Sequence, residues 1–365
     1  MKLREPIGLS AGSWYPPGWQ STGQALAGGE LDSRSARDLG YAGVPVATTE
    51  APPEMAVSAA RAVLDRAGCP AETLSLVLHA SVHHQGHDAW SAPHFIADRL
   101  DARRAIPIGL LQQCNGGAAG IDLIVSRLQG DPDAGPGLVT TADRFLLPSW
   151  DRWRGDYGMA AGDGATAVLV HRLAERPAEL ELHATASTVA ADLEIMHRGN
   201  DTFEAAPLGH GPINVRRPKR DFIAAFGGER FVKTAADAIR TAVRQALRDA
   251  GLAGDDERLR YAVLPRLGAR AMQEAYIPPL AELTGAEQLD LGRSTGHLGA
   301  GDLNASLADL ATTDLLAPGQ YALVLNGGGG FTWTAMVVRR PSTPTSRPST
   351  PTSRPSTPTS KETAS

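Results

Sequence analysis

Cysteine is scarce in this chain. Only Cys69 and Cys114 occur among 365 residues, so no disulfide framework holds the fold. Long apolar runs are missing as well, and no stretch reaches the ~18–20 residues that a membrane span needs. The opening Met1-Lys2-Leu3-Arg4-Glu5-Pro6 lacks the apolar core of a secretory leader. These absences set membrane partners aside and make the cytoplasm the expected compartment. There is no long basic tract interleaved with aromatics, and the net charge is −5, which argues against a nucleic-acid binder. What remains is ordinary for a globular enzyme: 42% hydrophobic and 21% charged residues. A chain of this length buries a large core, as one double-sized domain or two closely packed ones.

Hydrophobic periodicity orders the chain. Ile7 to Leu9 reads as a short strand. The Gly-, Pro- and Trp-rich segment after it, through Gly40-Tyr41-Ala42-Gly43-Val44-Pro45, reads as loop. Met55 to Ala67 has helical spacing, with Pro52 and Pro53 before it and Gly68 after it as start and stop signals. Leu74 to Ser81 is a near-continuous apolar strand of the kind covered on both faces. Ala92 to Leu100 follows as a helix, then strands at Ile106–Leu111, Leu138–Thr141 and Ala167–His171, with a helix at Gly116–Val125. A change-over near 172–182 leads to a strand at Leu180–Thr188. Asp192 to Glu229, which includes Gly209-His210-Gly211-Pro212, is irregular and expected to cover a pocket. Helices at Phe231–Ala250, Arg270–Leu280 and Leu303–Ala311 then alternate with strands at Tyr261–Pro265, Tyr321–Leu325 and Phe331–Val338. The alternation predicts an α/β fold with covered sheets. From Arg340 onward Pro-Ser-Thr-Pro-Thr-Ser-Arg repeats every seven residues through Ser360, a composition with nothing to bury and expected to form a flexible tail.

Cys114 sits where the strand Ile106–Leu111 gives way to the helix beginning at Gly116. Unpaired N–H groups and the positive end of a helix dipole favour a thiolate at such a place. Gly116, Gly117 and Gly120 remove side chains nearby, which suggests room for a substrate; a small packed cysteine is the alternative reading. His83, His84, His87 and His94 crowd the loop after Leu74–Ser81. No Cys, Asp or Glu pattern accompanies them, so a loop lining a pocket entrance, with His83, His84 and His87 touching substrate, is favoured over a metal site. Cys69, in the turn Gly68-Cys69-Pro70, reads as structural.

In order along the chain, Cys114, Gly162-Asp163-Gly164-Ala165, the loop Thr295-Gly296-His297-Leu298-Gly299-Ala300-Gly301-Asp302 and the turn Gly327-Gly328-Gly329-Gly330-Phe331-Thr332-Trp333 resemble the motifs of the β-ketoacyl-acyl-carrier-protein synthase III family. The resemblance covers about residues 5–339. It implies the thiolase fold: a five-layer αβαβα sandwich of two similar halves, here 1–175 and 176–339, with 340–365 as a disordered tail, and a homodimer. It also implies that Cys114 accepts an acyl group, with the backbone N–H groups of Cys114 and Gly329 as the oxyanion hole.

Two departures narrow the expectation. Condensing members carry a His in a Pro-His-Gln-Ala-Asn stretch and an Asn in a Gly-Asn-Thr stretch. Here the first reads Pro265-Arg266-Leu267-Gly268-Ala269 and the second Gly296-His297-Leu298. Cys114, His297 and Asp302 then compose a nucleophile, a base and an orienting carboxylate, a pattern that resembles the acyltransferase branch of the family. That branch implies transfer of an acyl group from an acyl-carrier-protein thioester, or from coenzyme A, to a hydroxyl, amine or thiol acceptor in polyketide-type natural-product biosynthesis. The acceptor is a small molecule or a second carrier-bound group. No cofactor is expected beyond the phosphopantetheine or coenzyme A that carries the thioester, and no metal. Three alternatives stay open: decarboxylative carbon–carbon condensation, a non-catalytic partner subunit of the same fold, and Asp302 as a plain helix cap.

Overall fold

A computed structural model describes residues 1–205 and 211–342. The repeat from Thr343 onward and the beginning of the Gly209–Pro212 stretch lie outside the described residues. Ten strands form one continuous sheet: β1 (Lys2–Trp14), β2 (Leu76–Ala80), β3 (Ile106–Leu110), β4 (Gly137–Asp143), β5 (Gly164–Arg172), β6 (Leu180–Val189), β7 (Leu259–Val263), β8 (Glu287–Leu289), β9 (Tyr321–Gly327) and β10 (Thr332–Arg339). The principal helices are α1 (Pro52–Arg66), α2 (Ala92–Arg99), α3 (Gly116–Gly130), α4 (Arg216–Phe226), α5 (Gly228–Ala250), α6 (Ile277–Leu283) and α7 (Asp302–Thr312).

The strand order is β8-β7-β9-β10-β6-β1-β5-β4-β2-β3. Outward from the centre, the first half therefore runs first, fifth, fourth, second, third strand, and the second half repeats that order. Orientations repeat too: β1 and β4 flank β5 antiparallel while β2 runs parallel to both β4 and β3. The second half does the same with β6, β10, β9, β7 and β8. The two halves join where β1 pairs antiparallel with β6, and the chain passes from one to the other between Arg172 and Leu180.

Side-chain alternation along the strands builds the layers. Ala322 and Val324 of β9 face the central core, which also holds Ile121, Ile124 and Val125 of α3 and Leu303, Leu307 and Leu310 of α7. Leu323 and Leu325 face outward and pack with Ile239, Val243 and Leu247 of α5. On the far side, Met55, Val63 and Leu64 of α1 and Ile96 of α2 cover Leu138 of β4 and Leu169 of β5. The layers are thus α1/α2, first half-sheet, α3/α7, second half-sheet and α5/α6, the thiolase-type sandwich.

Sequence periodicity missed elements that are short or polar on the surface. α4 lies inside the stretch read as irregular, because only Pro218 and Phe222 are buried beneath its basic run Arg216-Arg217-Pro218-Lys219-Arg220. Thr22–Ala27 and Ser33–Leu39 are short capped helices within the segment read as loop, and Gly43–Pro45 pairs with Trp19–Ser21. β8 is three residues long and carries no pattern to read. The segment 269–283 is helical with a π-turn at Met272–Tyr276.

Candidate active site

Cys114 and His297 occupy corresponding places in the two halves. Each follows the third strand of its half, near the start of the central helix that comes next. Gln113 turns the chain with φ +49°, in the left-handed region, and Cys114 lies in a single 3₁₀ turn ahead of α3. The glycines after it make room for protein neighbours: a Cβ on Gly116 would meet Ala80, one on Gly117 would meet Asn304, and one on Gly120 would meet Val139. The clearance seen in the sequence therefore serves helix packing. Asn326 Nδ2 donates to the Cys114 carbonyl at 2.9 Å and to Asn115 Oδ1 at 3.2 Å, and Asn115 Nδ2 donates to Thr334 at 2.8 Å. These bonds tie the cysteine turn to β9 and β10 of the other half.

The His297 loop is clamped from the first half. Its N–H donates to the Ala160 carbonyl at 2.9 Å, and the Gly162 N–H donates to its carbonyl at 2.9 Å. Asp163 of the same motif is fully buried, pairs with Arg152 at 3.0 Å and accepts the N–H groups of Ala47 and Phe145. The glycines around Asp163 are thus part of a strut that holds His297.

Its imidazole bridges the other two groups. Nε2 lies 3.1 Å from Cys114 Sγ, and Nδ1 donates to Asp302 Oδ2 at 2.6 Å. Asp302 Oδ1 accepts the Leu298 N–H at 2.8 Å. The carboxylate turns back toward the loop, and Gly301 holds the cap position of α7, so Asp302 is not the helix cap. Burial works against a charge on His297. The adjacent Asp302 carboxylate and then the Cys114 sulfur outweigh it, raising the imidazole well above its ordinary value and favouring an imidazolium.

The glycine turn closes over the sulfur. A Cβ on Gly328 would stand 3.0 Å from Cys114 Sγ, so only glycine lets the turn approach that closely. The neighbouring Gly329 packs against His197 and Gln113. Arg266, where the family's histidine is expected, points elsewhere. It is fully buried; Nη1 donates to the Leu291 carbonyl and to Thr295 at 2.8 Å each, and Nη2 pairs with Asp309 at 2.5 Å. It braces the His297 loop and does not reach the cavity.

That cavity, of about 1060 Å³, is lined by Cys114, His297, Phe145, Trp150, Phe331 and Trp333 among others. Its volume lies at the upper end for small-molecule sites, enough for an acyl chain and the arm that delivers it. Of the three loop histidines, none lines it. His83 sits behind the wall, hydrogen-bonded to Ser149 at 2.8 Å and stacked on Phe145 at 5.9 Å. His84 is exposed beside Asp88, and His87 meets the edge of Trp90. Among the described residues no group of three or more His, Cys, Asp or Glu is placed to hold a metal ion.

Several site groups escaped sequence reading. Asp143 is buried and pushed up to about 7 by that burial, against the N–H groups of His83, Ala300 and Val82 that bond to it. A side chain on Gly299, at φ +61°, would collide with it. Tyr276, carried by the π-turn, accepts the Trp333 indole N–H at 3.2 Å and is held in its phenol form by burial. His197 lies in the stretch read as irregular. The available signal was a polar residue at an otherwise apolar strand end, as for Asn326 and Asp143; for His197 and Tyr276 there was none.

Fold and site together define a thiolase-fold protein with a Cys–His–Asp centre. No protein-family model matches the chain. Its curated relatives include the β-ketoacyl-acyl-carrier-protein synthase III of Roseiflexus sp. (strain RS-1), 27% identical over 287 residues, covering 78% of this chain and 82% of the relative. Among solved structures, the acyltransferase ChlB3 superposes with a TM-score of 0.82 at 28% identity, covering 92% of this chain and 98% of that one. The 3-oxoacyl-acyl-carrier-protein synthase III of Aquifex aeolicus VF5 shares the fold, with a TM-score of 0.71 at 20% identity over 92% of this chain and 99% of the other. In sequence and in fold the chain is similar to ketosynthase III-like enzymes of the thiolase fold.

Proposed function

We propose that this protein is an acyltransferase that moves an acyl group through Cys114 from a carrier-protein or coenzyme A thioester to a hydroxyl, amine or thiol acceptor. The observation that carries this reading is the Cys114–His297–Asp302 relay, with Arg266 turned away from the sulfur. The thiolate attacks the thioester carbonyl, and the N–H groups of Cys114 and Gly329 receive the oxyanion; each such donor is typically worth about 3 kcal/mol in the transition state. The departing thiolate takes the proton of the His297 imidazolium. Acylated Cys114 carries no charge, so one of the influences holding the proton on His297 is gone, and the neutral imidazole is ready to act as a base. It removes the acceptor's proton, the heteroatom attacks the acyl-cysteine, and the collapse expels Cys114 as thiolate beside the reprotonated imidazole. The likeness to ChlB3, an acyltransferase by its name, supports this reading.

A second reading is decarboxylative condensation, favoured by the names of the curated relatives. One experiment separates the two. The protein is incubated with an acyl thioester, its intact mass recorded, and either malonyl carrier protein or a panel of nucleophilic acceptors added. Acyl transfer predicts a mass shift on Cys114, lost in Cys114→Ala, and discharge to a heteroatom acceptor. Carbon dioxide with a β-keto product overturns it in favour of condensation, and no mass shift from any thioester leaves a non-catalytic partner subunit.

We also propose a homodimer. β3 is a sheet edge whose Ile106 and Ile108 are exposed, and Leu111 beyond it is 87% exposed. An apolar edge of this kind is a template for pairing with a second strand.

A further inference from the structure

His197 has no role in the relay described above, yet it stands in the same cavity. It belongs to the short helix Ile195–Arg198, held down by buried Leu193 and Met196. Its ring packs on Phe331 with centroids 5.0 Å apart and lies 2.9 Å from where a Cβ on Gly329 would be. It therefore touches the glycine turn that closes over Cys114. Burial, reinforced by nearby Lys219 and opposed by Asp156, brings it down to about 4, so the ring is neutral and offers one donor and one acceptor. Among the described residues no hydrogen-bonding partner meets either ring nitrogen. It shares the cavity with the apolar and aromatic groups Met196, Ile223, Phe231 and Phe331 and with Lys219 and Asp156, which pair with each other at 2.6 Å. Of the other charges in the lining, Arg270 pairs with Asp38 and Glu274, and Arg198 with Glu194.

An uncharged hydrogen-bonding group left unpaired on a cavity wall selects for a ligand that satisfies it, because an analogue without the matching oxygen leaves it unpaired. We infer that His197 is a specificity-determining residue that hydrogen-bonds an oxygen substituent, hydroxyl or keto, on the acyl group delivered to Cys114. The preferred donors are then hydroxyacyl or oxoacyl thioesters, with plain alkyl or aryl thioesters disfavoured. This inference rests on the acyl-cysteine reading above and names the class of acyl group that reading would use.

The test uses the full chain and matched pairs of coenzyme A thioesters differing by one oxygen substituent, straight-chain and aromatic. Acylation of Cys114 is followed by intact mass as kcat/KM. The wild type is expected to prefer the oxygenated member of at least one pair by about tenfold or more. His197→Phe should erase that preference by slowing the oxygenated member alone, and His197→Gln should restore part of it. Equal rates within every pair, or a His197→Phe variant that slows both members alike, overturn the inference while leaving the acyl-cysteine intact. Normal acylation followed by slowed transfer assigns His197 to the acceptor and also overturns it. If no thioester acylates Cys114, the acyl-transfer reading fails and this inference with it.

Discussion

His297 gains its charge from its neighbours, and that makes its removal measurable. With Asp302 at 2.6 Å and Cys114 at 3.1 Å, the raised imidazole is a proton reservoir below and through neutral pH. Alkylation of Cys114 by iodoacetamide at pH 7 should therefore be several-fold faster in the wild type than in His297→Ala, where no imidazolium faces the sulfur. Equal rates in the two would remove His297 from the support of the sulfur. His297→Ala should still acylate slowly but fail to discharge the acyl group to an acceptor, because the base for that step is gone. Asp302→Asn should lose less, through a poorly oriented imidazole; single-turnover transfer rates measure both.

At the scale of elements, a buried ion pair helps to fasten the insertion between β6 and α5 to the first half. Lys219 of α4 meets Asp156 at 2.6 Å, with side chains 18% and 7% exposed. Burial alone would raise Asp156, but the attraction of Lys219 outweighs it and brings the carboxyl down to about 2. Its folded value is thus below the unfolded one, so its contribution to stability is present above about pH 4 and is lost as pH falls toward 2. Lys219→Met leaves a buried charge without its partner and should cost about 3–5 kcal/mol at neutral pH. In that variant acid should recover stability, since protonation neutralises the stranded carboxyl. Urea unfolding at pH 7 and pH 3.5 reads both signs, and an unchanged midpoint at pH 7 would show the pair to be dispensable. β3 supplies the other test at this scale. Ile108→Glu places a charge on the exposed edge and should halve the mass seen by light scattering if that edge joins two copies, while leaving a monomer with native circular dichroism.

The whole molecule is a repeat put to unequal use. Both halves have the same strand order and orientation, and their third-strand connections converge at the central layer. One connection holds the nucleophile and the other the base. Neither half contains a complete site, and the bonds from Asn326 to the cysteine turn and from Ala160 and Gly162 to His297 cross between halves in both directions. Cooperative unfolding follows from this: Asn326→Ala, which strips the cysteine turn of a buried hydrogen bond, should lower global stability by about 1–3 kcal/mol. Acylation of Cys114 should fall with it. Retention of full acylation in that variant would mean that the turn is held by its own 3₁₀ hydrogen bonds.

Much of this was legible before the fold was known, because long strands and helices with one buried face announce themselves by period. Met55–Ala67, Leu180–Thr188 and Phe231–Ala250 are found within a few residues of their observed bounds. Cys114 was legible from its strand-to-helix junction and the glycines after it, and His297 and Asp302 through the family resemblance that their glycine-rich loop carries. The direction in which Asp302 turns, the bracing role of Arg266 and the site groups Asn326, Asp143, Tyr276 and His197 were not. Asp302 turns back on His297 and Leu298, five and four residues before it, in a loop without a period, and the others depend on a partner far along the chain or on an element too short or too polar to carry one. Local sequence sets which segments bury a face and which residues bear reactive atoms; only the packing of one half against the other decides which of those atoms meet.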